Sequence, residues 1–92
     1  MKIYFDYIMT NQYRTTFYVG VSQDLKRRIS QHAGGTGSKF TSKYNLTDLI
    51  YFEEYNDVNQ SILREKQLKN WKKDWKLDLI RGKNPELRTL QY

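Results

Sequence analysis

Three kinds of side chain stand where chemistry is possible: a basic pair one helical turn apart, a carboxylate among apolar positions, and two tyrosines in strand-like runs. Arg28 and His32 are related as i and i+4. With Leu25 set at zero on a helical wheel, Ile29 lies about 40° to one side, and His32 about 20° and Arg28 about 60° to the other. Both polar side chains therefore border the apolar stripe, while Lys26, Arg27, Ser30 and Gln31 face away. A guanidinium there can lay its stem along a core or grip an anion with its planar fork. An imidazole there can be a hydrogen-bonded core group or can move a proton near neutral pH.

The carboxylate is Glu65. On a second helix, measured from Ile62, Val58 lies about 40°, Glu65 about 60° and Leu68 about 120° away, all on one side. A carboxylate inside an apolar stripe needs a partner, because an unpaired buried charge is costly. An ion pair with a nearby Arg or Lys meets that need, as does a rotated helix that lets Glu65 reach water. So does a hydrated Mg²⁺, which is often held by one carboxylate, waters and a substrate phosphate. Tyr7 and Tyr18 lie in adjacent β-rich runs and become neighbours if these pair. They are core rings by default. At a rim, a tyrosine hydroxyl can orient water or take a proton.

The elements that must hold these residues follow from periodicity. Ile3 to Thr10 alternates, with Ile3, Phe5, Tyr7 and Met9 on one face and Tyr4, Asp6 and Ile8 on the other, which predicts a strand. Asn11-Gln12 is a turn, and Thr15 to Val21 a second strand, giving an antiparallel hairpin. Ser22 is the expected cap of a first helix running to about His32, with Asp24 in its first turn. Residues 33–38, rich in Gly, stop it and form a loop. Leu49 to Glu53 reads as a third strand. Asn56 or Asp57 caps a second helix to about Lys69, and Trp71, Trp75 and Leu79 mark a third, which Gly82 ends. The order β-β-α-β-α-α predicts an α+β domain, a three-stranded antiparallel sheet flanked by three helices. It spans residues 1–87, and residues 88–92 are a short tail.

Composition narrows the partners. A chain of 92 residues fits one domain. Apolar residues are only 38% but aromatics reach 15%, so a small ring-rich core is still affordable. There is no Cys, which removes thiol catalysis, disulfides and zinc ribbons. One His cannot build a histidine metal site. No apolar run reaches the about 20 residues that span a bilayer. No signal peptide is recognisable at the N-terminus, so a cytoplasmic monomer is the expectation. The net charge of +6 is uneven: +5 over residues 1–43, −4 over 44–61 and +5 over 62–92. Two basic blocks with interleaved aromatics suit a polyanion such as nucleic acid.

These residues together resemble the GIY-YIG nuclease family, in particular its small stand-alone bacterial branch. The first triplet is Phe5-Asp6-Tyr7 and the second Tyr18-Val19-Gly20; Arg28 and His32 follow Gly20 by eight and twelve residues. Arg64-Glu65-Lys66-Gln67-Leu68-Lys69 resembles the family's helix with the metal-binding Glu, and the likeness runs from about Lys2 to about Leu87. Two departures stand out. Phe5-Asp6 replaces the usual small and apolar residues, which leaves the strand's edge or register open. The late Asn of larger members has only Asn84 as a counterpart.

The resemblance implies hydrolysis of nucleic-acid phosphodiesters, DNA ahead of RNA, with one Mg²⁺ or Mn²⁺ held by Glu65. It gives Arg28 the non-bridging oxygens. It gives Tyr18 or Tyr7 the attacking water, with His32 assisting or acting on the phosphate. Gly20 is then structural, and Lys39, Lys69, Lys72 and Lys73 contact backbone phosphates. Two other readings fit the same residues: a non-catalytic nucleic-acid-binding module on this fold, and a protein-interaction domain using the acidic segment 44–61.

Overall fold

In the computed structural model, residues 2–92 are described. Strand β1 (Tyr4–Thr10) lies between β2 (Phe17–Ser22) and β3 (Asp48–Tyr55), antiparallel to both. As the central strand it is covered on both faces, and Phe5 to Thr10 are all buried. Phe5, Tyr7 and Met9 face one layer with Leu25, Leu46 and Leu49. Ile8 faces the other with Val19, Ile50, Tyr51, Leu68 and Ile80. The period-two alternation of the sequence is thus the division between two cores. Helices α1 (Leu25–Ala33) and α2 (Lys39–Lys43) cover the Tyr7 face; α3 (Val58–Asn70) and α4 (Lys73–Lys83) cover the other.

The expected α+β class and element order hold, with a fourth, short helix that the Gly-rich loop concealed. Ser38 caps α2 by accepting from the Thr41 amide at 3.1 Å. Other boundaries move for local reasons. The Asn11 carboxamide accepts from the Thr15 and Thr16 amides at 2.8 and 3.2 Å, so β2 begins at Phe17. Asp24, not Ser22, caps α1 by accepting from the Arg27 amide at 3.1 Å. Ser22 remains in β2 and accepts from the Asp24 amide. Trp71 and Lys72 are extended, so α4 starts two residues later than the Trp71–Trp75–Leu79 spacing suggests. It then passes through Gly82 to Lys83. Residues 88–92 pack on the sheet: the Leu90 amide donates to Leu49 at 2.7 Å, and the Tyr92 ring meets Phe5 and Phe52 edge-on.

Asp6 explains a further difference. It is fully buried on the central strand and accepts from Ser61 Oγ at 2.5 Å; among the described residues its other oxygen has no partner. This bond turns α3 so that Ser61 and Leu68 form its buried face, while Val58 and Ile62, the expected stripe, are each 39% exposed. Burial pushes the Asp6 carboxyl up to about 6; Ser61 opposes the rise, and the Glu53 and Glu65 charges add to it. Because the folded value exceeds the ordinary 3.8, Asp6 favours folding below that value and its contribution is lost as pH rises through about 6. Asp6→Asn keeps an acceptor for Ser61 and removes the charge. It should raise stability at pH 8 by roughly 1–2 kcal/mol and change little at pH 4, as read by urea unfolding at both pH values. An equal gain at both would contradict the assignment.

Candidate active site

Tyr7 lies at the centre of the α1–α2 face. Its β2 partner is Gly20, and that pairing makes room for the phenol. A Cβ on Gly20 would stand 2.5 Å from both Tyr7 Cζ and Oη and 3.0 Å from Tyr18 Cε2. Tyr18 sits diagonally across the hairpin, its ring 6.4 Å from that of Tyr7. The strand tyrosines are neighbours because both point to the same face at this register.

Helix α1 brings the basic pair. The Tyr7 hydroxyl is 3.1 Å from His32 Nε2, and the His32 ring is 5.7 Å from Tyr7 and 5.6 Å from Tyr18. His32 is buried at 2% exposure, as the wheel requires. Arg28, one turn earlier, is half-buried and donates to Gln31 Oε1 at 3.1 Å. A shallow depression lined by Ser22, Gln23, Asp24 and Gln31 opens beside that guanidinium. Gly37 packs on the opposite side: a Cβ there would lie 2.0 Å from His32 Nδ1.

Three charges or dipoles converge on the Tyr7 hydroxyl. Burial pushes the phenol well above its ordinary 10.0; Tyr18 adds to this, Arg28 opposes it and Glu65 adds a smaller rise. At neutral pH Tyr7 is therefore a proton donor. Burial, and then the Arg28 charge, hold His32 below its ordinary 6.5, so the imidazole facing Tyr7 is neutral.

Glu65 comes from α3, its side chain 22% exposed and paired at 3.4 Å with Lys69 one turn on. The sequence placed it within an apolar stripe, with an ion pair as one way to meet its charge; the structure leaves it partly exposed beside the buried Ser61 and Leu68 and supplies that pair from Lys69. Among the described residues no three His, Cys, Asp or Glu side chains cluster. A lone, partly exposed carboxylate suits a hard, strongly hydrated cation that takes its remaining oxygens from water and substrate. It does not suit a cage of protein nitrogen and sulfur ligands. The donor set therefore fits Mg²⁺ or Mn²⁺ at Glu65.

The predicted phosphate contacts fare differently. Lys39 opens α2 and is exposed, and Lys72 is exposed at the start of α4. Lys69 is engaged with Glu65. Lys73 donates to the Thr15 carbonyl at 2.6 Å and lies over the Phe17 ring, tying α4 to the hairpin loop. Asn84 is buried away from these groups: it donates to the Ile50 and Arg88 carbonyls and accepts from the Arg88 amide. It clamps the end of α4 to β3. Three acids of segment 44–61 are also engaged internally, Asp48 with Arg14, Glu53 with Arg64, and Asp57 as the α3 cap. An acidic docking face is correspondingly reduced.

Residues that the sequence reading passed over are Ser38 and Thr41. Thr41, 1% exposed, sits 3.0 Å from His32 Nδ1. A serine three positions before a threonine, just past a glycine loop, is a helix-start signal that could have revealed them.

Comparison with known proteins agrees with this fold. Residues 3–78 match the model of the GIY-YIG catalytic domain. The chain is 31% identical over 65 residues to a UPF0213 protein of Staphylococcus saprophyticus, covering 71% of this chain and 79% of that one. It is 30% identical over 66 residues to a UPF0213 protein of Staphylococcus aureus, covering 72% and 80%. The solution NMR structure of a UPF0213 protein from Bacillus halodurans superposes with a TM-score of 0.60 at 24% identity, over 91% of this chain and 88% of that one. That likeness concerns the fold alone.

Proposed function

The chain belongs to the GIY-YIG family, a family of nucleases, and from this premise we propose that it is a metal-dependent endonuclease that hydrolyses phosphodiester bonds, in DNA ahead of RNA. One observation carries the reading: a buried tyrosine hydroxyl bonded to a neutral histidine, with a guanidinium and a carboxylate both near enough to shift its proton affinity. A structural core needs none of these charges beside its rings.

The chemistry divides among the side chains as follows. Arg28 holds the non-bridging oxygens of the scissile phosphate and strengthens that hold as negative charge builds on them. Tyr18, half-buried at the rim, orients the attacking water. That water gives a proton to Tyr7 Oη as Tyr7 passes its own to His32 Nε2. The new P–O bond forms as the bond to the leaving oxygen breaks, and the leaving oxygen takes a proton from solvent. A divalent cation at Glu65, when bound, supplies Lewis-acid stabilisation of the phosphoryl charge. Lys39 and Lys72 contact flanking phosphates, giving salt-dependent affinity with little sequence preference.

The test is incubation of labelled single-stranded, duplex and branched DNA and RNA with the chain at low salt, in Mn²⁺, Mg²⁺ or EDTA. Metal-dependent products from at least one substrate are expected. Binding of these substrates without cleavage would make the domain a non-catalytic module.

The same reading fixes a pH dependence. His32 must be neutral to accept the Tyr7 proton, and its value lies below 6.5. Cleavage should therefore rise with pH along an acid limb whose midpoint is below 6.5, and His32→Gln should lose that limb along with most of the rate. A wild-type midpoint above 6.5 would contradict the neutral, buried imidazole.

A further inference from the structure

His32 is the chain's one histidine, and both of its ring nitrogens have partners. Nε2 faces Tyr7 Oη at 3.1 Å, and Nδ1 faces Thr41 Oγ1 at 3.0 Å. Which nitrogen carries the hydrogen decides what Tyr7 can do. A hydrogen on Nε2 would point at the phenol and leave no lone pair for its proton. A hydrogen on Nδ1 leaves the Nε2 lone pair aimed at Oη.

The groups beyond Thr41 favour one direction. Thr41 has a single hydroxyl hydrogen, and the Ser38 carbonyl, which can only accept, lies 3.2 Å from Oγ1. The Thr41 amide donates to Ser38 Oγ at 3.1 Å, and the Ser38 hydroxyl lies 2.9 Å from Thr41 Oγ1. With the Thr41 hydrogen on the Ser38 carbonyl, Oγ1 has only lone pairs left for its other neighbours. His32 Nδ1 must then arrive with its hydrogen. Thr41 is buried, so water does not offer an alternative partner. Gly37 packs close to the ring at Nδ1 and leaves no room for a side chain there.

We propose that Ser38 and Thr41, at the start of α2, are positioning residues that fix His32 in its Nδ1–H tautomer and aim the Nε2 lone pair at the Tyr7 hydroxyl. The proposal deepens the nuclease reading and rests on it for its effect on rate; the tautomer itself does not depend on it. When Nε2 takes the Tyr7 proton, the Nδ1–H bond to Thr41 persists and supports the imidazolium. The short helix that the glycine loop concealed thus acts on the site through its cap rather than by touching substrate.

Long-range ¹H–¹⁵N NMR of the full chain at pH 8 tests this, because a single histidine gives an unambiguous pair of ring nitrogens. The wild type should show a protonated Nδ1 and an unprotonated Nε2. Thr41→Ser, which keeps the hydroxyl, should preserve that pattern and cleave within about threefold of wild type. Thr41→Val should shift the ring towards a tautomer mixture and slow cleavage about 10- to 100-fold, the loss typical when the partner that orients a functional histidine is removed. A wild-type ring protonated at Nε2 overturns the proposal without any variant. So does a folded Thr41→Val with an unchanged ring. A wild type with protonated Nδ1 that cuts no substrate upholds the tautomer assignment and counts against the nuclease reading instead.

Discussion

Arg28→Ala is expected to lower single-turnover cleavage about 100- to 1,000-fold, the usual effect of removing a donor aimed at developing transition-state charge. Binding should weaken much less, because many flanking phosphate contacts remain. The structural basis is the position of Arg28 one turn before His32 on α1, half-buried, with Gln31 Oε1 holding one guanidinium nitrogen. Its charge pulls both Tyr7 and His32 downward in proton affinity, so it lies close to both rings. Arg28→Lys keeps the charge but loses the planar fork, and should recover only part of the rate. Single-turnover rates paired with fluorescence-anisotropy titrations separate the two quantities. An equal fall in binding and rate would reduce Arg28 to one more phosphate contact.

Gly20→Ala should be comparably damaging by a steric route. The added methyl would stand 2.5 Å from Tyr7 Cζ and Oη, inside van der Waals contact. Tyr7 cannot swing away freely: it is 1% exposed, on the central strand, with Tyr18 and His32 against it. Relief requires the hydroxyl to leave His32 or the hairpin to shift. Overpacking of this kind destabilises by about 1–3 kcal/mol, and displacement of a reacting group by even 1 Å can lower a rate about 100-fold. Thermal unfolding and cleavage should therefore fall together. Tyr7→Phe in the Gly20→Ala background removes one of the two closest atoms and should recover part of the stability but none of the rate. Wild-type activity and stability in Gly20→Ala would show that Tyr7 is not held as described.

How much of this could be read from the residues alone depended on how local each signal was. The strands were legible because period two is exact on a central strand with two covered faces, and Tyr7 and Tyr18 followed from the hairpin. Arg28 and His32 were legible because α1 is strongly amphipathic and its stripe has one orientation. Helix α3 was not, since only Leu68 of its apolar residues lies on its buried face: Val58 and Ile62 are partly exposed while Ser61 is buried. A polar pair across 55 residues, Asp6 with Ser61, sets that rotation, and no local pattern reports it. The Asp6 departure that left the strand's register open turns out to be a tether between β1 and α3. Helix α2 was hidden by its length of five residues and by the glycines before it. Lys73 looked like a phosphate contact by charge, and its ammonium is engaged with the hairpin loop. Asn84 shows the same limit, because a side chain that clamps a helix end cannot be told from a site residue by type alone.

The most direct test of the central claim is single-turnover cleavage at saturating protein, in Mg²⁺ or Mn²⁺, by wild type and Glu65→Gln in parallel. Glu65 is partly exposed, and its ion pair to a half-exposed Lys69 is of a kind worth about 1 kcal/mol or less, so Glu65→Gln should fold. The expected result is metal-dependent product from the wild type and a loss of at least about 100-fold in Glu65→Gln with affinity retained, as follows when the ligand of an essential cation is removed. Cleavage that survives both EDTA and Glu65→Gln would contradict the account.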